Sequence, residues 1–321
     1  MRKLSLSLKP IKFPGQRKNY YFDSQLGVLF KVHLFFGFEK PNSVKKFKII
    51  LIITLLSSVF SAYSRSNVFP TGSKPAAMGN AFISQYNPFA AYHNQAGLAG
   101  IEKTSVSLFY ENRFFSPNVS LSHMASRALV ATFPTGPGTF ALQYNAFGPP
   151  QWAESNAGIS YAMFLSDKLS AGIQLNYFAS RLPEVNAWAM TAGFEAGFIY
   201  QVSEKTFAGL HVANPYTPEI NTLSYRETIP WRIRAGGHTR FNEDFMFSYE
   251  IEKMEGYRSM LKLGGEWKAA NNFFLRGGLN TSPARVFAGF GYEAGFVTID
   301  LSFSNHYILG YVPSASVIFY L

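Results

Sequence analysis

The sequence predicts an all-β fold: a 14-stranded antiparallel transmembrane β-barrel with a short N-terminal helical plug. Three observations carry this. Only 15% of the 321 residues are charged while 17% are aromatic, against about 25% charged in soluble domains. From Thr104 onward apolar and polar residues alternate with period two, the pattern of a strand whose two faces meet different surroundings. The connections between these stretches are alternately short and long.

The alternation is explicit in Leu169-Ser170-Ala171-Gly172-Ile173-Gln174-Leu175-Asn176-Tyr177, where Leu, Ala, Ile, Leu and Tyr share one face and Ser, Gly, Gln and Asn the other. Phe245–Glu252 and Val297–Phe303 repeat it. The polar faces are rich in Gly, Ser, Asn and Gln and the apolar faces in aromatics. This suits a wall with lipid outside and a polar lumen inside. Strands are predicted at 104–110, 119–133, 139–147, 156–165, 169–179, 187–201, 206–213, 231–240, 244–252, 260–268, 272–279, 285–292, 296–303 and 313–321. The short turns are 134–138, 166–168, 202–205, 241–243, 269–271 and 293–295. Longer loops separate them, the longest being 214–230. An even strand number with short turns at one end and long loops at the other is the outer-membrane arrangement. It places the C-terminus, and the element before the first strand, on the periplasmic side.

The N-terminal region has a different character. Residues 1–64 hold 11 basic and 2 acidic residues, leaving 18 and 17 for the remainder. The net charge of +10 therefore resides in the leader, and no basic face remains for nucleic acid. Lys45, Lys46 and Lys48 precede the apolar run Ile49–Phe60 and the small-residue site Ala62-Tyr63-Ser64, which reads as a cleaved signal peptide over 44–64. Residues 1–43 are read as a start-site artefact or leader extension. The plug segment spans 65–103 and the barrel 104–321. Export to the bacterial outer membrane follows.

Within the plug segment, Asn87-Pro88 opens a short helix, with Asn as N-cap and Pro at the first position, and Gly97 is its expected stop. His93-Asn94-Gln95 would face the lumen floor. In the barrel, Arg232, Arg234, Glu250, Glu252, Lys262, Glu266 and Arg276 share the polar parity. A three-residue turn at 241–243 would set Arg234 opposite Glu250 and Arg232 opposite Glu252. Glu250 would face Lys262, and a one-residue shift at 269–271 would set Glu266 opposite Arg276. The result is a ladder of lumen charges. Gly136-Pro137-Gly138 and Pro149-Pro150 flank strand 139–147, where missing amide donors predict a loosened wall.

No chemistry-bearing pattern competes with this reading. There is no cysteine, no zinc-spaced histidine pair and no G-x-S-x-G. Ser122-His123 and Asn305-His306 are the faint candidates for a lipid-modifying site, and adjacent strand residues point to opposite faces. No catalytic residue, metal or cofactor is expected.

The stretch FPTGSKPAAMGNAFISQYNPFAAYHNQAGLAGI, Phe69–Ile101, resembles the entry segment of FadL-like barrels, and especially of the PorV/PorQ-type branch of Bacteroidota. Asn94, Ala96, Gly97 and Leu98 match the motif aromatic–Asn–Pro–Ala–Gly–Leu. His93 stands at its aromatic position and Gln95 at its proline. Leu309-Gly310-Tyr311 resembles the family's ending. The resemblance implies a 14-stranded barrel with an N-terminal plug, surrounded by outer-membrane lipid, passively passing a hydrophobic ligand. Its alternative implication is an accessory or scaffold role beside the proteins of type IX secretion.

Overall fold

The computed structural model describes residues 71–113, 124–149, 153–182, 187–221, 226–306 and 310–321. The leader, the signal peptide expected at 44–64, Ser122 and His123 lie outside the described residues. Sixteen strands follow in chain order: β1 (Ser105–Asn112), β2 (Ala125–Thr135), β3 (Gly138–Phe147), β4 (Glu154–Ser166), β5 (Leu169–Leu182), β6 (Ala187–Gln201), β7 (Thr206–Ala213), β8 (Glu219–Asn221), β9 (Arg226–Thr228), β10 (Arg232–Arg240), β11 (Phe245–Met254), β12 (Met260–Ala270), β13 (Phe273–Thr281), β14 (Ala284–Ala294), β15 (Val297–His306) and β16 (Gly310–Tyr320). Fourteen of them close an antiparallel barrel, with β1 paired to β16. The small hairpin β8–β9 forms a separate two-stranded sheet, with Ile220 packed among Phe178 and Ala189 of the wall.

Closure answers the main constraint of lipid, which offers no hydrogen bonds to an exposed strand edge. The last strand supplies it. Ser105–Glu111 of β1 pair with Tyr320–Ser314 of β16, and the C-terminal Leu321 N–H donates to Thr104 O at 2.8 Å. The alternating apolar faces point outward. Leu142, Tyr144, Ile159, Leu175, Tyr177, Phe198 and Leu210 are all exposed, Leu175 at 61%. Their polar neighbours Gln143, Ser160, Gln174, Asn176 and His211 are buried toward the lumen. This inverts the arrangement of a soluble barrel and matches a lipid-facing wall.

The wall is not loosened at β3. Gly138–Phe147 pair without interruption with β2 on one side, and Thr139–Phe147 with β4 on the other. The expected break fails because Pro137 falls in the turn and Pro149 beyond the strand, so neither removes a ladder donor. Pairing instead ends early between β6 and β7. β6 pairs with β5 from Ala187 onward, but with β7 only over Glu195–Gln201. Beyond that point, Asn214 N–H donates to Phe194 O at 2.8 Å and the Tyr216 hydroxyl to Ala192 O at 3.0 Å.

A 14-stranded wall encloses more space than its own side chains fill. Here that space holds residues 71–101. Helix α1 (Ser73–Ala77) packs on β13–β16. Two 3₁₀ turns, η1 (Pro88–Tyr92) and η2 (Gln95–Leu98), pack on β1–β2 and on β3–β6 respectively. Asn87 caps η1 through Phe89 N–H at 2.9 Å. The helix expected to run to Gly97 is interrupted at His93-Asn94, where Asn94 caps a second turn through Ala96 N–H at 3.2 Å. Gly97 is therefore not a stop. It lies within η2, where a Cβ would collide with Gln85 O.

The inner wall receives this segment at glycines. A Cβ at Gly172 of β5 would collide with the Gln95–Ala96 peptide, and one at Gly278 of β13 with Met78 and Gly79 backbone. Backbone cannot swing aside as a side chain does, and overpacking typically costs about 1–3 kcal/mol. Gly278→Val is expected to lower the thermal unfolding midpoint of the detergent-solubilised barrel. Gly277→Val, on the lipid face with no atom closer than 3.9 Å to its Cβ, is expected to leave it unchanged. Equal midpoints for the two variants would contradict the seating of residues 71–101 against β13.

Candidate functional site

The site is the seam between the inner wall and residues 71–101. Arg234 is its centre. It is 2% exposed and reaches the insert through a hydrogen bond from Nη2 to the His93 carbonyl. The same nitrogen donates to His211 Nδ1 at 3.1 Å. A guanidinium only donates, so His211 Nδ1 must accept and its proton sits on Nε2. That N–H points at Glu195 Oε2, 3.0 Å, and Gln95 Oε1, 3.1 Å.

Glu195 then orders a chain of amides across β6, β5 and β3. Its Oε2 accepts from Gln95 Nε2 at 3.0 Å and its Oε1 from Asn176 Nδ2 at 2.9 Å. Asn176 Oδ1 accepts from Gln174 at 2.9 Å and Gln143 at 3.1 Å. Ser160 closes the chain on Gln174 Oε1. Gln95 is thus the residue of the insert that bridges the two sides of this net. A proline there would supply neither its amide donor nor its acceptor.

On the other side of Arg234 lie the predicted charges. Glu250 faces Lys262, with Nζ 2.7 Å from Oε1, and Lys262 also reaches Glu252 at 2.9 Å. The second oxygen of Glu250 accepts from Phe82 N–H of the insert at 3.1 Å. Glu266 faces Arg276, with Nε at 2.6 Å. Arg276 continues to Asp300 at 2.6 Å, and Lys74 of α1 reaches Glu266 at 2.9 Å. The one-residue shift that aligns Glu266 with Arg276 is a bulge at Lys268/Ala270.

The β10–β11 register differs from the expectation by two residues. Arg234 faces Glu252, Gly236 faces Glu250, and Arg232 faces Met254. The cause is the turn. Asn242 Oδ1 accepts from Asp244 N–H at 3.0 Å and Phe245 N–H at 2.7 Å, and Phe241 N–H bonds Phe245 O at 3.0 Å. The connection is therefore longer than the three residues 241–243. A shift of two keeps every side chain on its face, so Arg234 still approaches Glu250, diagonally, at 4.0 Å.

The insert's own polar residues are also held. His93 Nε2–H donates to Thr71 O at 2.9 Å and its ring meets Phe82 edge-on at 5.3 Å between centroids. Burial, and then the Arg234 guanidinium beside it, hold this imidazole well below its usual pKa, so it is neutral. Asn94 Nδ2 donates to Ile83 O at 2.7 Å and Phe198 O at 3.1 Å. Tyr92 donates to Leu129 O at 2.7 Å and Tyr144 O at 3.0 Å, and burial raises its pKa far above the ordinary phenol. Ala96 and Leu98 are buried apolar contacts, and Pro88 is buried with them.

Glu195, His211, Asn176 and Asp300 were not singled out from the sequence. Their inward parity was readable. What was missing was the position of residues 71–101, which gives those polar positions their partners. No group of three or more metal-ligand side chains occurs among the described residues.

The arrangement offers buried, mutually compensated charges rather than a reactive centre. Removing one partner of a buried pair costs about 3–5 kcal/mol, because the other charge is left uncompensated. Lys262→Met removes the nearest cation from Glu250 and Glu252 together, leaving Arg234 at 4.0 Å from Glu250. It is expected to destabilise the barrel by that order in denaturant titration of the folded, micelle-bound protein. Adding Glu252→Gln should recover part of the loss. A single variant as stable as wild type would show that the charges are not coupled.

No protein-family model matches the chain, and no curated protein is similar to it in sequence. Solved structures are similar in fold. The toluene transporter TbuX of Ralstonia pickettii superposes with a TM-score of 0.61 at 15% identity, covering 78% of this chain and 97% of that one. The Pseudomonas putida toluene transporter TodX gives 0.57 at 12%, covering 81% and 97%. A FadL homologue of Pseudomonas aeruginosa gives 0.54 at 14%, covering 79% and 99%. The closed 14-stranded wall of this chain shares the fold of these three proteins.

Proposed function

We propose that this protein is a passive outer-membrane channel for a small hydrophobic molecule. The observation that carries the reading is a lumen occupied by residues 71–101 and bonded to the wall through Arg234, Glu195, Glu250 and Glu266. A wide aqueous pore would admit water-soluble solutes of any chemistry. A blocked lumen admits only a solute that the protein first binds. The fold likeness to proteins named as hydrocarbon and toluene transporters supports a hydrophobic solute. In this reading residues 71–101 act as the plug, and the solute arrives from the outer loops. The wall's weakest edge is the outer half of β6, where among the described residues two hydrogen bonds from Asn214 and Tyr216 stand in for a strand. A secretion-accessory role rests on the motif at 69–101 alone.

Cells expressing the full chain are expected to take up the hydrophobic dye N-phenylnaphthylamine several-fold faster than cells with an empty vector. Permeation of a hydrophilic probe such as nitrocefin is expected to stay unchanged. Equal acceleration of both, or of neither, would overturn the proposal.

A further inference from the structure

Four histidines lie among the described residues, His93, His211, His238 and His306. Three of them, His93, His211 and His238, sit at the contact between residues 71–101 and the wall, each at most 2% exposed. None has an acceptor waiting for a second ring proton. His211 Nδ1 accepts from Arg234 Nη2 at 3.1 Å, so a proton there would face a guanidinium N–H. His93 Nε2–H donates to Thr71 O at 2.9 Å, and its Nδ1 is buried without a partner. His238 Nδ1 shares a hydrogen bond with Ser84 Oγ at 2.8 Å, and its Nε2 is buried without a partner. Its ring is stacked on Phe207 at 4.8 Å between centroids.

The neighbouring charges act in the same direction. His93 faces the cations Arg234, Lys262 and Arg232. His211 faces Arg234 and Arg232 of β10 against Glu195 of β6. His238 faces Arg240 of β10 and Lys74 of α1 against Glu266 of β12. Among these groups cations outnumber carboxylates at every ring. The same histidines fasten the insert. Arg234 Nη2 donates both to His211 and to the His93 carbonyl, His211 reaches Gln95 Oε1 at 3.1 Å, and His238 holds Ser84. A proton added to any of them sets an uncompensated charge into the seam, which is unfavourable.

We propose that residues 71–101 form a proton-operated gate: protons taken up by His93, His211 and His238 unfasten the insert from the wall and open the lumen as the medium turns from neutral to mildly acidic. The gate rests on the reading of residues 71–101 as the plug of a passive channel. Its sign follows from proton counting. With the insert released, water reaches all three rings, and they titrate at the ordinary imidazole value of about 6.5. Above that pH the seated and released states carry the same protons, and the insert stays seated. Below it the released state binds protons that the seated state does not, so release gains up to about tenfold per pH unit from each ring. The carboxylates that touch the insert, Glu195, Glu250 and Glu266, ordinarily titrate at about 4.3, below this window.

The test records conductance of the full chain in a planar lipid bilayer at about pH 7.5 and about pH 5, either side of the imidazole value. Circular dichroism of the same protein in nanodiscs follows the β-sheet. The expected result is a closed channel at the higher pH. Conductance then rises by at least about tenfold per pH unit below about 6.5, reverses on return, and leaves the β signal unchanged. Glutamine offers a donor and an acceptor in place of the two ring nitrogens and does not titrate. His93→Gln, His211→Gln and His238→Gln should each flatten the rise by up to about tenfold per pH unit, and the triple variant should stay closed at the lower pH. The single variants carry the test if the triple variant does not fold. His306→Gln, at the outer end of β15, should keep the full response. A wild-type channel that stays closed at the lower pH would overturn the gate. So would an opening that survives the histidine variants, or an irreversible one that coincides with loss of the β signal. In each case the uptake reading stands on its own dye assay. Steady conductance already at the higher pH would overturn the gate and count against the plug as well.

Discussion

The structure depends on how the barrel disposes of its interior. Lipid forces the wall closed, because every strand edge must be paired. Closing fourteen strands leaves a lumen too wide for wall side chains alone to fill. Residues 71–101 fill it, and almost every other inner feature follows from that. Glycines at 172 and 278 clear room for their backbone. Arg234, Glu250 and Glu195 meet their carbonyl, amide N–H and side-chain groups. The wall and the insert are thus built as one hydrogen-bonded body, with buried charges held in mutual contact.

The proposed function rests on the same feature. A porin keeps its lumen open and sorts solutes by size and charge. This barrel spends its lumen charges on itself, in the pairs Lys262–Glu250, Lys262–Glu252, Arg276–Glu266 and Arg276–Asp300. Among the described residues these pairs hold the charges of the wall against one another and against residues 71–101. In the proposed channel selectivity comes from binding, which suits dilute hydrophobic molecules that an aqueous pore handles poorly.

Much of the fold was legible in the sequence for a simple reason. Period-two alternation is set by the solvent on each face, and lipid outside with polar groups inside leaves it undiluted along Leu169–Tyr177 or Phe245–Glu252. Fourteen strands and the inward parity of Arg234, Glu250 and Lys262 could be read that way. Register was harder, because it depends on turn length. The asparagine-capped turn at 241–245 moved Arg234 from Glu250 to Glu252 while keeping its face. Prolines also misled, since Pro137 sits in a turn rather than in the ladder of β3. Least legible were the contacts of residues 71–101. The helix expected from Asn87 became two turns broken at His93-Asn94, because Asn94 is needed as a cap and as a donor to Ile83 and Phe198. The roles of Glu195 and His211 rest on long-range proximity that no local pattern encodes.

The claim that residues 71–101 seal the lumen is tested most directly by electrical recording. The intact protein, inserted into a planar lipid bilayer in molar salt, is predicted to leave the membrane essentially non-conducting, with brief openings at most. A steady ohmic conductance of porin size from the intact chain would contradict the account.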